Sequence, residues 1–176
     1  MDIKSFFKNI VKSIRYTKKR YHLIETELDE YQYYDIDIRM LYGMFSLLKE
    51  FVEIEGAHMF ESIYSPEGDT NYTDELKGIE YLRKLADTYK ENNQSCDWIS
   101  EVQYLYFWWT KERPNRVLPE DKYSALDFDD CVYNSDFGIY TSKKYYALIT
   151  EMDETYYQED TEMLCRLVKI RRYLWT

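Results

Sequence analysis

The sequence is poor in the residues that interrupt regular secondary structure. Five glycines and three prolines in 176 residues predict long helices joined by few tight turns. Three cysteines, without CxxC spacing, indicate neither a disulfide framework nor a zinc knuckle and are typical of a reducing cytoplasm. No apolar run approaches the roughly 18 residues of a membrane span, and the basic N-terminus lacks the apolar segment of a signal peptide. We therefore expect a soluble intracellular protein.

The sequence motifs of common catalytic classes are also missing. No phosphate-binding glycine loop, HExxH zinc motif or GxSxG serine motif occurs. Glu55 and His58 have the Glu-x-x-His spacing of di-iron bundles, but those sites need two such motifs and two further carboxylates. The other histidine, His22, stands in the reversed order relative to Glu25. We therefore predict that the protein is not an enzyme and holds no metal or cofactor.

Hydrophobic and aromatic residues are plentiful. Hydrophobic residues make up 45% of the sequence and aromatic residues 18%, including 20 tyrosines and four tryptophans. This composition excludes a disordered chain, which would have low hydrophobicity and few aromatic residues. The length is typical of one folded domain, and we expect a single α-helical domain over residues 1–176.

Charge is distributed unevenly along the chain. Residues 1–24 contain seven basic side chains and one acid, residues 25–161 contain 12 basic and 31 acidic side chains, and residues 162–176 are basic again. The net charge of −10 disfavours direct binding to nucleic acid or to an anionic membrane. The expected partner is a protein with a basic surface. The sequence does not define an oligomeric state.

Apolar residues recur with helical spacing over most of the chain. Ile3, Phe6, Ile10 and Ile14 belong to one stripe, which predicts a basic amphipathic helix at about 2–22. The fold predicted is an all-α, single-domain bundle of about five or six helices. The further helices are expected at about 36–64, at 73–92, from an N-cap at Ser95 or Asp97 to Pro114, and at 143–175, the last as one long helix or a pair.

Two segments are candidates for binding a partner. Residues 115–142 have no sustained period and predict a long acidic loop, a feature that is often functional. A loop that only connects helices, a partner-binding surface and a cation site all remain open for its acids. The second segment has two adjacent tryptophans, of which one is expected in the core and the other against a second element or a partner. It also has two arginines that can stack on the rings or pair with the acidic loop. The candidate partner-binding residues are Asp127, Asp129, Asp130, Asp136, Trp108, Arg113 and Arg116.

Three blocks of sequence carry a resemblance. They are residues 34–55, residues 105–116 with the tryptophan pair, and residues 159–176, which pass from acidic to basic and end in Leu174-Trp175-Thr176. In this order they resemble a family of uncharacterised proteins encoded by tailed bacteriophages. The resemblance implies a phage protein that acts in the bacterial cytoplasm or a part of the virion, and it implies no activity or catalytic residue.

These observations lead to a functional hypothesis. Carboxylates presented on a folded scaffold create a negative field like that of a phosphate backbone. We expect a non-enzymatic phage protein that inhibits a host nucleic-acid-handling or defence protein. The alternatives are a virion or assembly component and a trap for a small signalling molecule.

Overall fold

The computed structural model of the protein describes residues 24–64 and 72–174. The predicted basic helix at 2–22 lies outside these residues. Contacts divide the chain into two compact units, one ending at Leu47 and the other beginning at Leu48. The single domain expected over residues 1–176 stays a prediction, and the sites described below lie within the second unit. None of the helices in the described ranges has the length and apolar character needed to span a membrane.

The prediction of an all-α fold is confirmed. Helices account for most of the described residues, and the strands in those ranges form a single short hairpin. Five of the described helices have at least eight residues, and a sixth consists of one turn. The helices are α1 (Ile36–Glu50), α2 (Ala57–Tyr64), α3 (Asp74–Glu91), α4 (Asp97–Phe107), α5 (Pro119–Lys122) and α6 (Lys143–Ile170).

A π-helical segment, Phe51–Gly56, joins α1 to α2 without a break, so the helix predicted over residues 36–64 is continuous. Helix α3 packs against this segment at very short range. A Cβ atom added at Gly78 of α3 would lie 1.9 Å from the Val52 carbonyl oxygen. Because such a distance is far below van der Waals contact, the close helix crossing requires glycine at this position.

The starts of α3 and α4 differ in how they are capped. The Thr73 hydroxyl oxygen accepts a hydrogen bond from the backbone N–H of Leu76 over 3.3 Å, which confirms the predicted start of α3. The N-cap predicted for α4 at Ser95 or Asp97 is wrong. The N-cap residue is Cys96, which has no side-chain capping bond, and the Ser95 hydroxyl before it donates to the Asp97 carboxylate over 2.9 Å and accepts from the Asp97 backbone N–H over 3.5 Å.

The segment predicted as a long acidic loop contains several short elements. A second π-helical segment, Trp108–Glu112, and a 3-10 turn, Arg113–Asn115, lead into it. It then contains α5, a 3-10 turn at Ala125–Asp127 and an antiparallel hairpin. Strands β1 (Val132–Asn134) and β2 (Ile139–Thr141) pair with Val132 opposite Thr141, and Gly138 adopts a φ of +67° in the turn between them.

The core of the second unit is formed mainly by buried residues of the helical run 48–60, of α4 with the tryptophans that follow it, and of the C-terminal part of α6, while α3 contributes Leu82. Helix α6 contributes Met163, Leu167 and Ile170, which are all buried, and Leu174 beyond its end is also buried. By contrast, residues 143–162 of α6 include no buried residue. The side chains of this part of the helix are therefore half-buried or exposed.

Candidate interaction surface

The hairpin and the first part of α6 are exposed or half-buried at every described position except Ser142. We define residues 127–162 as the hairpin arm. Its aromatic side chains are unusually accessible: Phe137 is 77% exposed, and Tyr133 and Tyr140 are 55% and 52% exposed. The rings of this tyrosine pair contact each other across the strands, with centroids 5.2 Å apart. Exposed apolar area of this kind is typical of a binding surface.

Three of the four candidate aspartates in this arm have partners within the chain. The Asp127 carboxylate accepts a hydrogen bond from the Ser124 backbone N–H over 2.8 Å and closes a capping box. Asp129 pairs with the Lys144 ammonium group, and this contact lowers the pKa of the aspartate. The Asp130 carboxylate accepts from the Ser142 hydroxyl and from the Lys144 backbone N–H. Its pKa is also lowered, mainly by the bond from Ser142.

The contacts of Asp129 and Asp130 attach the start of the hairpin to the first turn of α6. Ser142 is the N-cap of that helix, since its hydroxyl oxygen accepts from the Tyr145 backbone N–H over 3.1 Å. Asp136 differs from the other three aspartates because its exposed carboxylate has no partner among the described residues. Three of the candidate acids therefore organise the arm, and Asp136 is left for an external contact.

Further acids on α6 were not among the candidate residues. Glu151, Asp153 and Glu154 are exposed, and they follow the hairpin on the part of the helix that has no buried residue. Side chains three apart on a helix are neighbours, so Glu151 and Glu154 present their charges together. The high acid content of residues 25–161 was the available signal, but it did not distinguish these three from the other carboxylates.

The tryptophan pair and the two arginines form a second cluster, which is largely buried. Trp108 has no exposed surface and Trp109 is 6% exposed. The Arg113 guanidinium lies 4.9 Å from the centre of the Trp109 ring, and that of Arg116 lies 5.3 Å from the Trp108 ring. The predicted stacking of arginines on these rings is therefore confirmed.

The expectation that these arginines pair with the acidic loop is wrong, because their partners are two acids of α6. The Arg113 guanidinium donates to the Asp160 carboxylate, with Nη2 at 2.9 Å. The Nη1 atom of Arg116 lies 2.6 Å from the Asp160 carboxylate. Its Nη2 atom lies 2.8 Å from the Glu159 carboxylate, in an ion pair that lacks hydrogen-bond geometry. Glu159 and Asp160 are thus residues that the sequence reasoning missed. The roles of Trp108, Arg113 and Arg116 in binding a partner stay predictions, and their contacts in the structure are internal.

No metal-binding group is found in the described ranges, where no three His, Cys, Asp or Glu side chains come together. Glu55 and His58 are both exposed on the helical run 51–64. The pKa of Glu55 is raised by desolvation and, to a lesser extent, by the charge of Glu50. The three cysteines are free thiols.

Comparisons of the chain with protein-family models, with curated proteins and with solved structures find no match. The resemblance to phage proteins therefore stays a prediction that depends on the three sequence blocks. The hairpin arm, with its exposed aromatic residues and carboxylates, resembles a protein-binding surface.

Proposed function

We propose that the chain is a non-enzymatic binding protein whose hairpin arm engages a basic surface of another protein. The observation that carries this proposal is the absence of any buried residue in the α6 part of the arm, residues 143–162, together with the exposure of its aromatic side chains. The acids at the end of this range, Glu159 and Asp160, pair with arginines, but Glu151, Asp153 and Glu154 before them are exposed. A binding surface explains why this exposed part of α6 is rich in tyrosine and acid.

The two kinds of side chain in the arm have different roles in this proposal. Phe137, Tyr133 and Tyr140 supply the apolar contact area, since aromatic side chains contribute most of the binding energy in many interfaces. Asp136 and the three acids of α6, Glu151, Asp153 and Glu154, supply a negative field. Such a field accelerates association with a basic partner and makes affinity depend on salt.

The proposed partner is a host nucleic-acid-handling or defence protein, which the chain inhibits during phage infection in the bacterial cytoplasm. The support for this choice is electrostatic, because a surface that binds phosphate is basic and accepts a regular array of carboxylates. The exposed acids of α6, Glu151, Asp153 and Glu154, present carboxylates of this kind. Phage origin rests on the sequence blocks described above.

The test begins with affinity capture of the full chain from phage-infected cells, followed by mass spectrometry and measurement of affinity with the purified partner. Two variants separate the two roles of the arm. The first replaces Phe137 and Tyr140 with serine, and it should mainly increase the dissociation rate. The second replaces Glu151, Asp153 and Glu154 with their amides, and it should slow association and flatten the salt dependence.

A matched control removes the same three charges from exposed acids outside the arm. Suitable residues, each exposed in the structure, are Asp87, Glu91 and Glu112. Equal weakening by the arm variant and this control would contradict a localised binding surface. Detection of the protein in purified phage particles, with no captured host protein, would favour the alternative of a virion or assembly component.

A further inference from the structure

The arginines of the second unit differ in whether they have a carboxylate partner. Those at positions 83, 113, 116 and 166 each pair with an acid. Arg171 and Arg172, immediately after α6, have no acidic partner in the described part of the chain, and neither does Lys169 in its last turn. Lys169, Arg171 and Arg172 therefore form a basic cluster at the end of α6, in a protein whose net charge is −10.

The guanidinium of Arg172 contacts the aromatic side chain of Tyr173. It lies 4.6 Å from the centre of the Tyr173 ring and donates a hydrogen bond to the hydroxyl of the same residue. Tyr173 in turn stacks on Trp98 of α4, with ring centroids 5.1 Å apart and planes inclined by 11°. Because a guanidinium has five N–H donors in a rigid fork, most of them remain for a ligand. The stack therefore orients a cation before any ligand arrives.

This cation lines a groove of about 510 Å³ between the end of α3, the start of α4 and the end of α6. Lys169 lines the same groove three residues before Arg172. The acidic residues of the groove are Asp97 and Glu101, and the charge of Glu101 is already compensated by a bidentate pair with Arg166 at 2.6 and 2.8 Å. Two cations thus face one carboxylate that lacks a basic partner, which makes the groove locally positive.

We propose that this groove binds a phosphorylated small molecule of about nucleotide size. Its phosphate contacts Arg172 and Lys169, since a guanidinium fork matches phosphate oxygens geometrically. Its hydroxyl or amino groups lie against Ser95 and Asp97 on the wall formed by α4. The volume lies within the range of ligand sites, about 300 to 1,000 Å³, and is larger than a phosphate ion alone would need. This site is separate from the hairpin arm and does not depend on the function proposed for it.

Titration calorimetry with three probes tests the proposal: adenosine 5′-monophosphate, adenosine and inorganic pyrophosphate. We expect the nucleotide to bind more tightly than adenosine, and pyrophosphate to compete with it. Replacing Arg172 with glutamine should weaken nucleotide binding about tenfold, which corresponds to the loss of a charge-assisted hydrogen bond. Lys169→Gln should have a smaller effect, because a lysine contributes a point charge rather than a fork.

Arg171→Gln is the matched control, because it removes the same charge from the neighbouring residue, which does not line the groove. It should leave nucleotide affinity within about twofold. Equal weakening by the two arginine variants would overturn the proposal, as would equal affinity for adenosine and its monophosphate or no binding of any probe. Tighter binding of a short 5′-phosphorylated DNA strand than of the nucleotide would also overturn the assignment to a small molecule. Circular dichroism of each variant establishes that a loss of binding is not a loss of folding.

Discussion

The indole Nε1 of Trp108 donates a hydrogen bond to the Glu159 carboxylate over 2.7 Å. This bond joins the start of the second π-helical segment to α6, and Arg116 stacks on the same indole while it pairs with the same carboxylate. Glu159 thereby accepts a hydrogen bond from a buried N–H group and also compensates part of the charge of Arg116. The contact fixes α6 at the point where its buried C-terminal part begins.

Asp160 is the second acid of this cluster, and its replacement with asparagine should destabilise the protein. The carboxylate is 18% exposed and contacts two arginines that are 20% and 14% exposed. Removing one partner from a mostly buried ion-pair cluster leaves uncompensated charge, and we expect a loss of about 2 to 4 kcal/mol in the free energy of unfolding. Urea denaturation measures it. Asp153→Asn, on an exposed part of the same helix, is the control and should change stability by less than about 0.5 kcal/mol.

The long helices could be predicted from the sequence, because each has several turns of periodic apolar residues. The run at 36–64 and the helix after Thr73 agree with the structure within one or two residues. The π-helical segment at Phe51–Gly56 was not predicted. It lies at the close approach of Gly78 to the Val52 carbonyl, a tertiary contact that leaves no periodic signal. The hairpin was missed because strands of three residues are too short to establish an alternating pattern.

Gly78→Ala should be strongly destabilising for a purely steric reason. The added methyl group would lie 1.9 Å from the Val52 carbonyl oxygen and 2.8 Å from its carbonyl carbon, so the backbones of α3 and the π-helical segment must separate. We expect a loss of about 3 kcal/mol, at the upper end of overpacking effects. The control is Gly43→Ala in α1, where a Cβ meets no atom within 4 Å. That change should stabilise the helix by about 0.5 to 1 kcal/mol, and equal effects of the two variants in urea denaturation would contradict the close crossing.

Tyr106→Phe should lower stability and change its dependence on alkaline pH. The Tyr106 hydroxyl donates to the Glu53 carboxylate over 2.7 Å, and desolvation, followed by this bond, raises the pKa of the buried phenol. Losing the donor leaves the carboxylate less well paired, at a cost of about 1 to 2 kcal/mol near neutral pH.

The sign of the pH effect follows from the raised pKa. As pH rises above about 10, the unfolded tyrosine loses its proton while the folded one keeps it, so the wild-type protein loses stability. The Tyr106→Phe variant lacks this contribution and should lose less between pH 9 and about 11. Urea denaturation over this range measures the difference. Tyr157→Phe, at a tyrosine that is 54% exposed and lies outside this contact, is the control substitution.

The candidate residues could be chosen from the sequence by chemical type, but their partners could not. Arg113 and Arg116 stack on the tryptophans as expected, because these residues are close along the chain. Their acidic partners, Glu159 and Asp160, come from a distant helix. The nearer aspartates of the loop were the more obvious choice, yet a capping box, an ion pair with Lys144 and hydrogen bonds at the start of α6 occupy three of them. Proximity along the sequence therefore gave the wrong acidic partners for these arginines.

Asp130→Asn should loosen the attachment of the hairpin to the start of α6. The lowered pKa of Asp130, caused mainly by the hydrogen bond from Ser142, means that the folded state stabilises the charged carboxylate. This stabilisation is fully present above about pH 4, near the unfolded pKa of aspartate, and is lost as pH falls through the lower pKa of the folded state. At pH 7 we therefore expect faster amide hydrogen exchange in the first turn of α6 in the variant than in the wild type.

Hydrogen exchange measured at acidic pH distinguishes an effect of the Asp130 charge from a general change in packing. Once Asp130 is protonated in the wild type as well, the two proteins should approach the same exchange rates in this turn, after correction for intrinsic exchange. Asp136→Asn is the matched control, because its carboxylate has no partner among the described residues, and it should leave the same amides unchanged at every pH. A difference between Asp130→Asn and the wild type that persisted unchanged into strong acid would show that the carboxylate charge is not what attaches the hairpin.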